Sequence, residues 1–141
     1  MIKELDVSKI ESIMKIWLEV NIKAHDFIPK KYWEENYDFV KKALPQATVL
    51  VYEDNGEIKG FIGIINKSYI EGLFVADLYQ SNGIGSELIE RCKQYCSVLK
   101  LDVYAKNLKA INFYKKHGFK IEYEKENSDT KEMEYSMIWE P

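Results

Sequence analysis

The stretch Gln80-Ser81-Asn82-Gly83-Ile84-Gly85-Ser86 follows the apolar run Ile70–Val75 and precedes a segment of helical periodicity. A strand, a tight glycine turn and a helix start gather unpaired backbone N–H groups at the positive end of a helix dipole. Glycines there let the main chain approach an anion closely, so the chemistry on offer is capture of a phosphorylated ligand. No Lys or Arg lies between Leu78 and Ser86, so main-chain amides must carry most of that contact. A P-loop is excluded, because no Gly-Lys-Ser/Thr follows the glycines. A dinucleotide fingerprint fits only in part. Gly83 and Gly85 match its first two glycines and Asp102 sits about 20 residues on, but position 88 is leucine. Too little chain follows for a full dinucleotide-binding domain.

A second segment resolves the choice: Asn107-Leu-Lys-Ala-Ile-Asn-Phe-Tyr-Lys-Lys-His-Gly-Phe119. Gln-x-x-Gly-x-Gly opening one helix, followed by Asn-x2-Ala-x2-Phe-Tyr-x3-Gly-Phe on the next, resembles the GNAT superfamily of acyl-CoA-dependent N-acetyltransferases. The segment Ala24-His-Asp-Phe-Ile28, with Tyr32 and Trp33, also resembles small bacterial YjaB-type members of that family. Two departures stand out: Leu78 where many members have Pro, and Asn82 where many have a basic or glycine residue.

The resemblance implies an α/β GNAT fold over residues 1–141, with acetyl-CoA as cofactor and a small-molecule or protein amine as acceptor. It implies that Leu73, Phe74 and Val75 pair their backbone with the pantetheine arm and offer an N–H to the thioester oxygen. Gln80, Ser81, Asn82, Gly83, Ile84, Gly85 and Ser86 would hold the pyrophosphate. Attack by the amine would be direct, without a covalent enzyme intermediate and without a metal. A non-catalytic acyl-CoA-binding sensor or partner module is the alternative from another class.

The chemistry asks for definite groups. An amine acceptor has a reference pKa near ~10.4, so it must lose a proton before it attacks, and the leaving thiolate must gain one. Tyr114, a phenol protonated at neutral pH, is the expected general acid. Asn107 is expected to cap the same helix and to contact the pantetheine arm. Three groups compete as base: Glu71 in an otherwise apolar strand, Asp102 at a comparable place on the next strand, and His25 in a loop. In relatives that loop shapes the acceptor pocket, so His25, Asp26, Phe27, Tyr32 and Trp33 are the expected substrate contacts; the other reading of the aromatics is helix packing.

Composition agrees with such an enzyme. Hydrophobic residues make up 46% of the 141 and charged residues 30%, ordinary for one globular domain. The net charge of -3 argues against a nucleic-acid-binding domain. No apolar run approaches the ~20 residues of a membrane span, and no charged-then-apolar leader opens the sequence. A cytoplasmic location, as monomer or homodimer, is the expectation. Cys92 and Cys96 read as two buried thiols on a helix's core face.

The elements that must position these residues follow from periodicity and breakers. Ile2–Leu5 reads as a strand, Asp6 or Ser8 caps a helix to about Ile22, and Lys31–Ala43 is a second helix stopped before Pro45. Thr48–Tyr52 and Ile58–Ile65 flank Asn55-Gly56 as a hairpin. Then come strand Ile70–Val75, helix Gly83–Ser97, strand Val98–Val103 and helix Leu108–His117, closed by Gly118. Strands Phe119–Glu124 and Met133–Trp139 finish the chain. The order β-α-α-β-β-β-α-β-α-β-β predicts a mixed, mostly antiparallel central sheet, with splayed parallel strands at the acyl-CoA site.

Overall fold

The computed structural model describes residues 1–141. Seven strands form one sheet: β1 Ile2–Glu4, β2 Thr48–Asp54, β3 Glu57–Ile65, β4 Tyr69–Val75, β5 Leu99–Tyr104, β6 Lys120–Glu126 and β7 Met133–Trp139, in the order β1-β2-β3-β4-β5-β7-β6. All neighbours are antiparallel except β4 and β5. Four helices flank it: α1 Ile10–Ala24, α2 Lys30–Ala43, α3 Ile84–Lys93 and α4 Leu108–Lys116. The expected mixed α/β architecture and element order are those observed.

Helices on both faces explain why β3 reads Glu-Ile-Lys-Gly-Phe-Ile-Gly-Ile-Ile rather than alternating, since its second half is buried on both sides. One core, with Ile62, Leu88, Ile89, Leu99 and Met137, fills the space under α3 and α4 and takes in Cys92 and Cys96. A second core holds Ile13, Met14, Trp17, Trp33 and Phe61 under α1 and α2. Asn55 and Gly56 both have positive φ (51° and 78°), as a tight hairpin between β2 and β3 requires.

Differences from expectation lie at element ends. Asp6 caps a short 3-10 turn, Val7–Lys9, accepting from the Ser8 N–H at 3.0 Å, and α1 proper begins at Ile10 and runs to Ala24. α3 stops at Lys93, four residues before Ser97, where Cys96 turns inward under β5. The edge strand β6 is exposed along its whole length and carries Lys and Glu, which discourages pairing with other chains.

Strand β4 departs from regular pairing in two ways. Gly63 pairs with Gly72 and Ile64 with Ile70, so Glu71 is the extra residue of a β-bulge. β3 also presses closely on β4 and α3: a Cβ on Gly60 would lie 2.9 Å from the Phe74 carbonyl oxygen and 3.1 Å from Ile84 Cγ2. Gly60→Ala should therefore cost roughly 1–3 kcal/mol in urea unfolding. Gly63→Ala, whose methyl would meet only Leu44 Cδ2 at 3.5 Å, should cost less. Equal midpoints for the two variants would refute Gly60 as the tight point.

Candidate active site

β4 and β5 pair at a single position, Tyr69 with Lys100, supported by a bond of 2.7 Å from the Lys100 N–H to the Ser68 carbonyl. Beyond it the strands part, leaving the β5-facing edge of Gly72–Val75 without a strand partner. A cleft of about 990 Å³ opens there. Leu73 and Val75 line one wall, Gln80, Ser81, Gly83, Ile84, Gly85 and Ser86 its floor, and Asn107, Phe113 and Tyr114 the other wall. The structure thus brings most of the expected cofactor residues to one place. Two stand apart: Asn82 is not part of the lining, and the Phe74 ring turns to the opposite face, against Phe61.

The turn is built for close approach. Gly83 has φ +83° and caps α3, with open space where a Cβ would be. Gly85 faces the Phe113 ring. Gln80 is pinned from both ends of its amide. Its Nε2 donates to the Val75 carbonyl at 3.0 Å and its Oε1 accepts from Lys109 Nζ at 2.9 Å.

Sequence reasoning assigned the anion contact to main-chain amides and missed four lysines. Lys106, Lys109 and Lys116 come from α4 and the turn before it, and Lys23 from α1; all line the cleft. Lys109, Phe113 and Lys116 follow i, i+4, i+7 spacing, the signal that could have revealed them. Lys23 also bonds Asp77 at 2.7 Å, joining α1 to the chain after β4.

Tyr114 is 8% exposed, and burial alone pushes its phenol well above the ordinary tyrosine value. It therefore stays protonated, on a residue that lines the cleft. Asn107 caps α4, its Oδ1 accepting from the Ala110 N–H at 3.2 Å, while its Nδ2 donates to His25 Nε2 at 3.1 Å. The other ring nitrogen of His25, Nδ1, is 3.1 Å from the Asn21 carbonyl, to which it donates. The ring stacks on Trp33 at 5.3 Å and meets Phe27 and Tyr104 edge-on. Burial lowers its pKa to about 4, against the hydrogen bond to Asn21. Both nitrogens are thus engaged, and the ring ties α1 to the start of α4.

None of His25, Asp26, Phe27, Tyr32 and Trp33 lines the cleft, whose α1 contacts are Val20, Lys23 and Ala24. Asp26 is exposed, and Trp33 packs in the α1–α2 core against Trp17. Tyr32 lies on the far face of the sheet, where Asp129 and Glu134 follow burial in pushing its phenol up.

That far face carries the carboxylates. Burial works to raise Asp102, but bonds from Ser136 (2.6 Å), Lys125 (3.0 Å) and Tyr69 (2.9 Å) outweigh it and hold the group below its ordinary value. Glu71 projects from the bulge and is exposed. Glu134, missed in the sequence, pairs with Tyr104 across β5 and β7. Burial pushes it above the ordinary glutamate value, with the Asp102 charge adding to the effect against a hydrogen bond from Asn127. Only tertiary pairing places Glu134 beside Asp102, so its sequence neighbours gave no signal.

A parted parallel strand pair, a glycine turn at a helix start and a tyrosine on the facing helix define a class, and comparison with known proteins agrees. The family model described as Acetyltransferase (GNAT) domain matches residues 19–137. This chain belongs to the GNAT acetyltransferase family. It is 37% identical over 122 residues to the peptidyl-lysine N-acetyltransferase YiaC of Escherichia coli (strain K12), covering 86% of this chain and 84% of that protein. It is 31% identical over 112 residues to the peptidyl-lysine N-acetyltransferase YjaB of Salmonella typhimurium (strain LT2), covering 79% and 77%. The solution structure of apo YjaB from Escherichia coli superposes with TM-score 0.86 at 24% identity, covering 99% of this chain and 96% of that one. No helix is long and apolar enough to cross a membrane.

The state of His25 is directly testable. Its folded value lies below the ordinary 6.5, so the unfolded chain takes up the proton first as pH falls. The stability it contributes is present above about pH 6.5 and lost towards about pH 4, some ~3 kcal/mol in all and roughly 2 by pH 5. Denaturation at pH 7 and pH 5 should show a steeper loss in wild type than in His25→Gln, with His25 ring resonances constant down to about pH 5.5. Equal losses, or a ring titrating near neutrality, would show His25 to be a free base.

Proposed function

We propose that this chain transfers the acetyl group of acetyl-CoA to the ε-amine of a lysine side chain in a protein, by direct attack of the amine on the thioester. The observation that carries this reading is the cleft itself. It joins an unpaired strand edge, a helix-start anion site with lysines around it, and a buried protonated phenol. An extended pantetheine arm can add to the open edge of β4 as a surrogate strand, through the backbone of Leu73, Phe74 and Val75. Gln80, Ser81, Gly83, Ile84, Gly85 and Ser86 then face the pyrophosphate, with Lys109 and Lys116 adding charge and Asn82 outside the contact.

The lysine acceptor is supported by the names of the two relatives and by the carboxylates on the opposite face. Glu71, Asp102 and Glu134 favour a cation there, and Asp26 and Tyr32 flank its approach. Asp102 is saturated by three donors and His25 is held neutral, so neither suits the proton transfer. Glu71, open to solvent on the bulge, accepts the ammonium proton through water, with Glu134 behind it. The amine then attacks the thioester carbon, and a main-chain N–H of β4 holds the oxyanion. As the C–S bond breaks, the Tyr114 hydroxyl gives its proton to the departing thiolate, and the second proton of the attacking nitrogen leaves to restore the phenol, which yields the neutral amide. His25 acts through Asn107, and Phe27 and Trp33 through His25, as positioning residues.

The test uses acetyl-CoA with a lysine peptide, following thiol release. Tyr114→Phe should keep acetyl-CoA affinity and lower kcat by roughly 10²- to 10⁴-fold. Gly83→Val, forced out of its left-handed conformation, should do the opposite and weaken CoA binding at least tenfold, about 1.4 kcal/mol. Glu71→Gln should remove the acidic limb of the pH–rate profile, while Asp102→Asn should leave it in place. Wild-type kcat in Tyr114→Phe would remove the phenol from the mechanism. Unchanged CoA affinity in a folded Gly83→Val would remove the turn from the cofactor site.

A further inference from the structure

Ser86, the third residue of α3, lines the cleft at the glycine turn. Its Oγ lies 3.0 Å from His117 Nε2, and His117 Nδ1 lies 2.9 Å from Glu90 Oε2. Ser86 and Glu90 stand one turn apart on α3, and His117 caps the end of α4 with its side chain 12% exposed. The mechanism of acetyl transfer uses neither His117 nor Glu90.

The hydrogen positions in this chain follow from what each group can do. His117 and then Lys93, by hydrogen bonds, hold the Glu90 carboxyl below its ordinary value, so it is an ionised acceptor. Nδ1 must therefore carry hydrogen and donate to it. In a neutral imidazole Nε2 is then bare, and its hydrogen bond with Ser86 has to be filled by the serine hydroxyl. With its proton committed to His117, Ser86 Oγ presents only lone pairs to the cleft. A phosphate oxygen presents lone pairs as well, so the neutral chain opposes the ligand that the turn is shaped to hold. A proton on Nε2 reverses the bond to serine and leaves the bond to Glu90 as it was: Nε2–H donates to Oγ, and the serine hydroxyl is free to donate into the cleft.

We propose that a pyrophosphate seated at the glycine turn takes up a proton from solvent at His117, which turns Ser86 from acceptor into donor. The proposal rests on the reading of Ser86 as a cofactor contact. It makes His117 a positioning residue for CoA, one step removed from the ligand.

The groups around the ring set the balance. From α3 the ring meets the Glu90 carboxylate and Lys93, whose Nζ bonds both Glu90 Oε2 at 3.0 Å and the His117 carbonyl. From α4 come the adjacent Lys115 and the cleft-lining Lys116, and the Phe113 ring packs on the imidazole at 4.6 Å. From β7, uncharged Trp139 closes in beside Gly118, under Lys93 Nζ at 5.1 Å. Of the chain's two histidines, His25 does not exchange a proton near neutrality, which leaves His117.

The test is calorimetric titration in buffers of different ionisation enthalpy, which counts protons taken up. The ligand is dephospho-CoA, which lacks the 3′-phosphate monoester that itself titrates near pH 6. Wild type should take up a fraction of a proton near neutral pH, and its affinity should fall roughly three- to tenfold between about pH 6 and 8. His117→Gln should take up none and hold its affinity within about twofold over that range. Ser86→Ala, which removes the relay and leaves the imidazole, should also lose the uptake. Glu90→Gln, at an exposed position, should shift the affinity change to lower pH, which keeps the test alive if His117→Gln folds poorly. Binding by wild type with no proton uptake, or equal uptake in His117→Gln, overturns the proposal while leaving the CoA site intact. No binding of dephospho-CoA by wild type removes the site reading and the proposal together.

Discussion

One residue pair, Tyr69 with Lys100, joins β4 to β5, and beyond it the sheet is open down the middle. An open edge of this kind is costly inside a fold, because each unpaired N–H and C=O there must find another partner. The protein keeps the strands apart with bulk and connectivity. The bulge at Glu71 bends β4, Phe74 is drawn to the far face by Phe61, and α3 begins at once after the turn that leaves β4. Gln80 satisfies the Val75 carbonyl with its own amide, so one acceptor at the end of the edge is filled within the chain. The rest of the edge is left for a ligand with the hydrogen-bonding pattern of a peptide, and pantetheine, with its two amides, has that pattern.

The same gap divides the charges. Lys106, Lys109 and Lys116 line the cleft, together with Lys23 paired to Asp77, while Glu71, Glu134 and Asp102, the last paired to Lys125, lie outside it. The small net charge of -3 conceals this separation. An anionic cofactor and a cationic acceptor would then approach through fields of opposite sign and meet where the strands part. The far-face charge is shaped as well as concentrated. Asp102 is committed to Ser136, Tyr69 and Lys125, which leaves the neighbouring carboxylates with different tasks. Glu134 feels the Asp102 charge in a half-buried setting, whereas Glu71 stands in solvent.

What could be read in the sequence was what repeats locally. The glycine turn, the Asn-Gly hairpin and the Asn107 cap each depend on a few adjacent residues, and each appears where their chemistry requires. Helix ends were less legible: α3 stops at Lys93 with Cys96 buried in the core beyond it, a tertiary arrangement with no local signal. The acceptor side was least legible. His25, Phe27 and Trp33 were expected at the pocket because the loop between the first two helices shapes it in relatives, but α1–α2 packing takes up the rings of His25 and Trp33 and much of Phe27. Glu134 lay hidden in an ordinary alternating strand, since only its pairing with Tyr104 across β5 gives it a role.

The two histidines show how little residue type decides. His25 sits among Trp33, Phe27 and Tyr104 with no carboxylate in reach, and there a positive charge is too costly to hold. It serves as a fixed acceptor that aims the Asn107 amide, while the other end of that amide caps α4. His117, at the opposite end of the same helix, has Glu90 on one nitrogen and a cleft-lining serine on the other. α4 is thus anchored at its start by an imidazole bound to stay neutral, and at its end by one that bridges a carboxylate and a serine hydroxyl. Tyr114 lies between them, so the helix that presents the proposed acid is fixed at the acyl end and responsive at the phosphate end. On the proposed reading, that asymmetry suits the reaction. The thioester must be placed within tenths of an ångström, whereas the nucleotide has to be held for the reaction and then released.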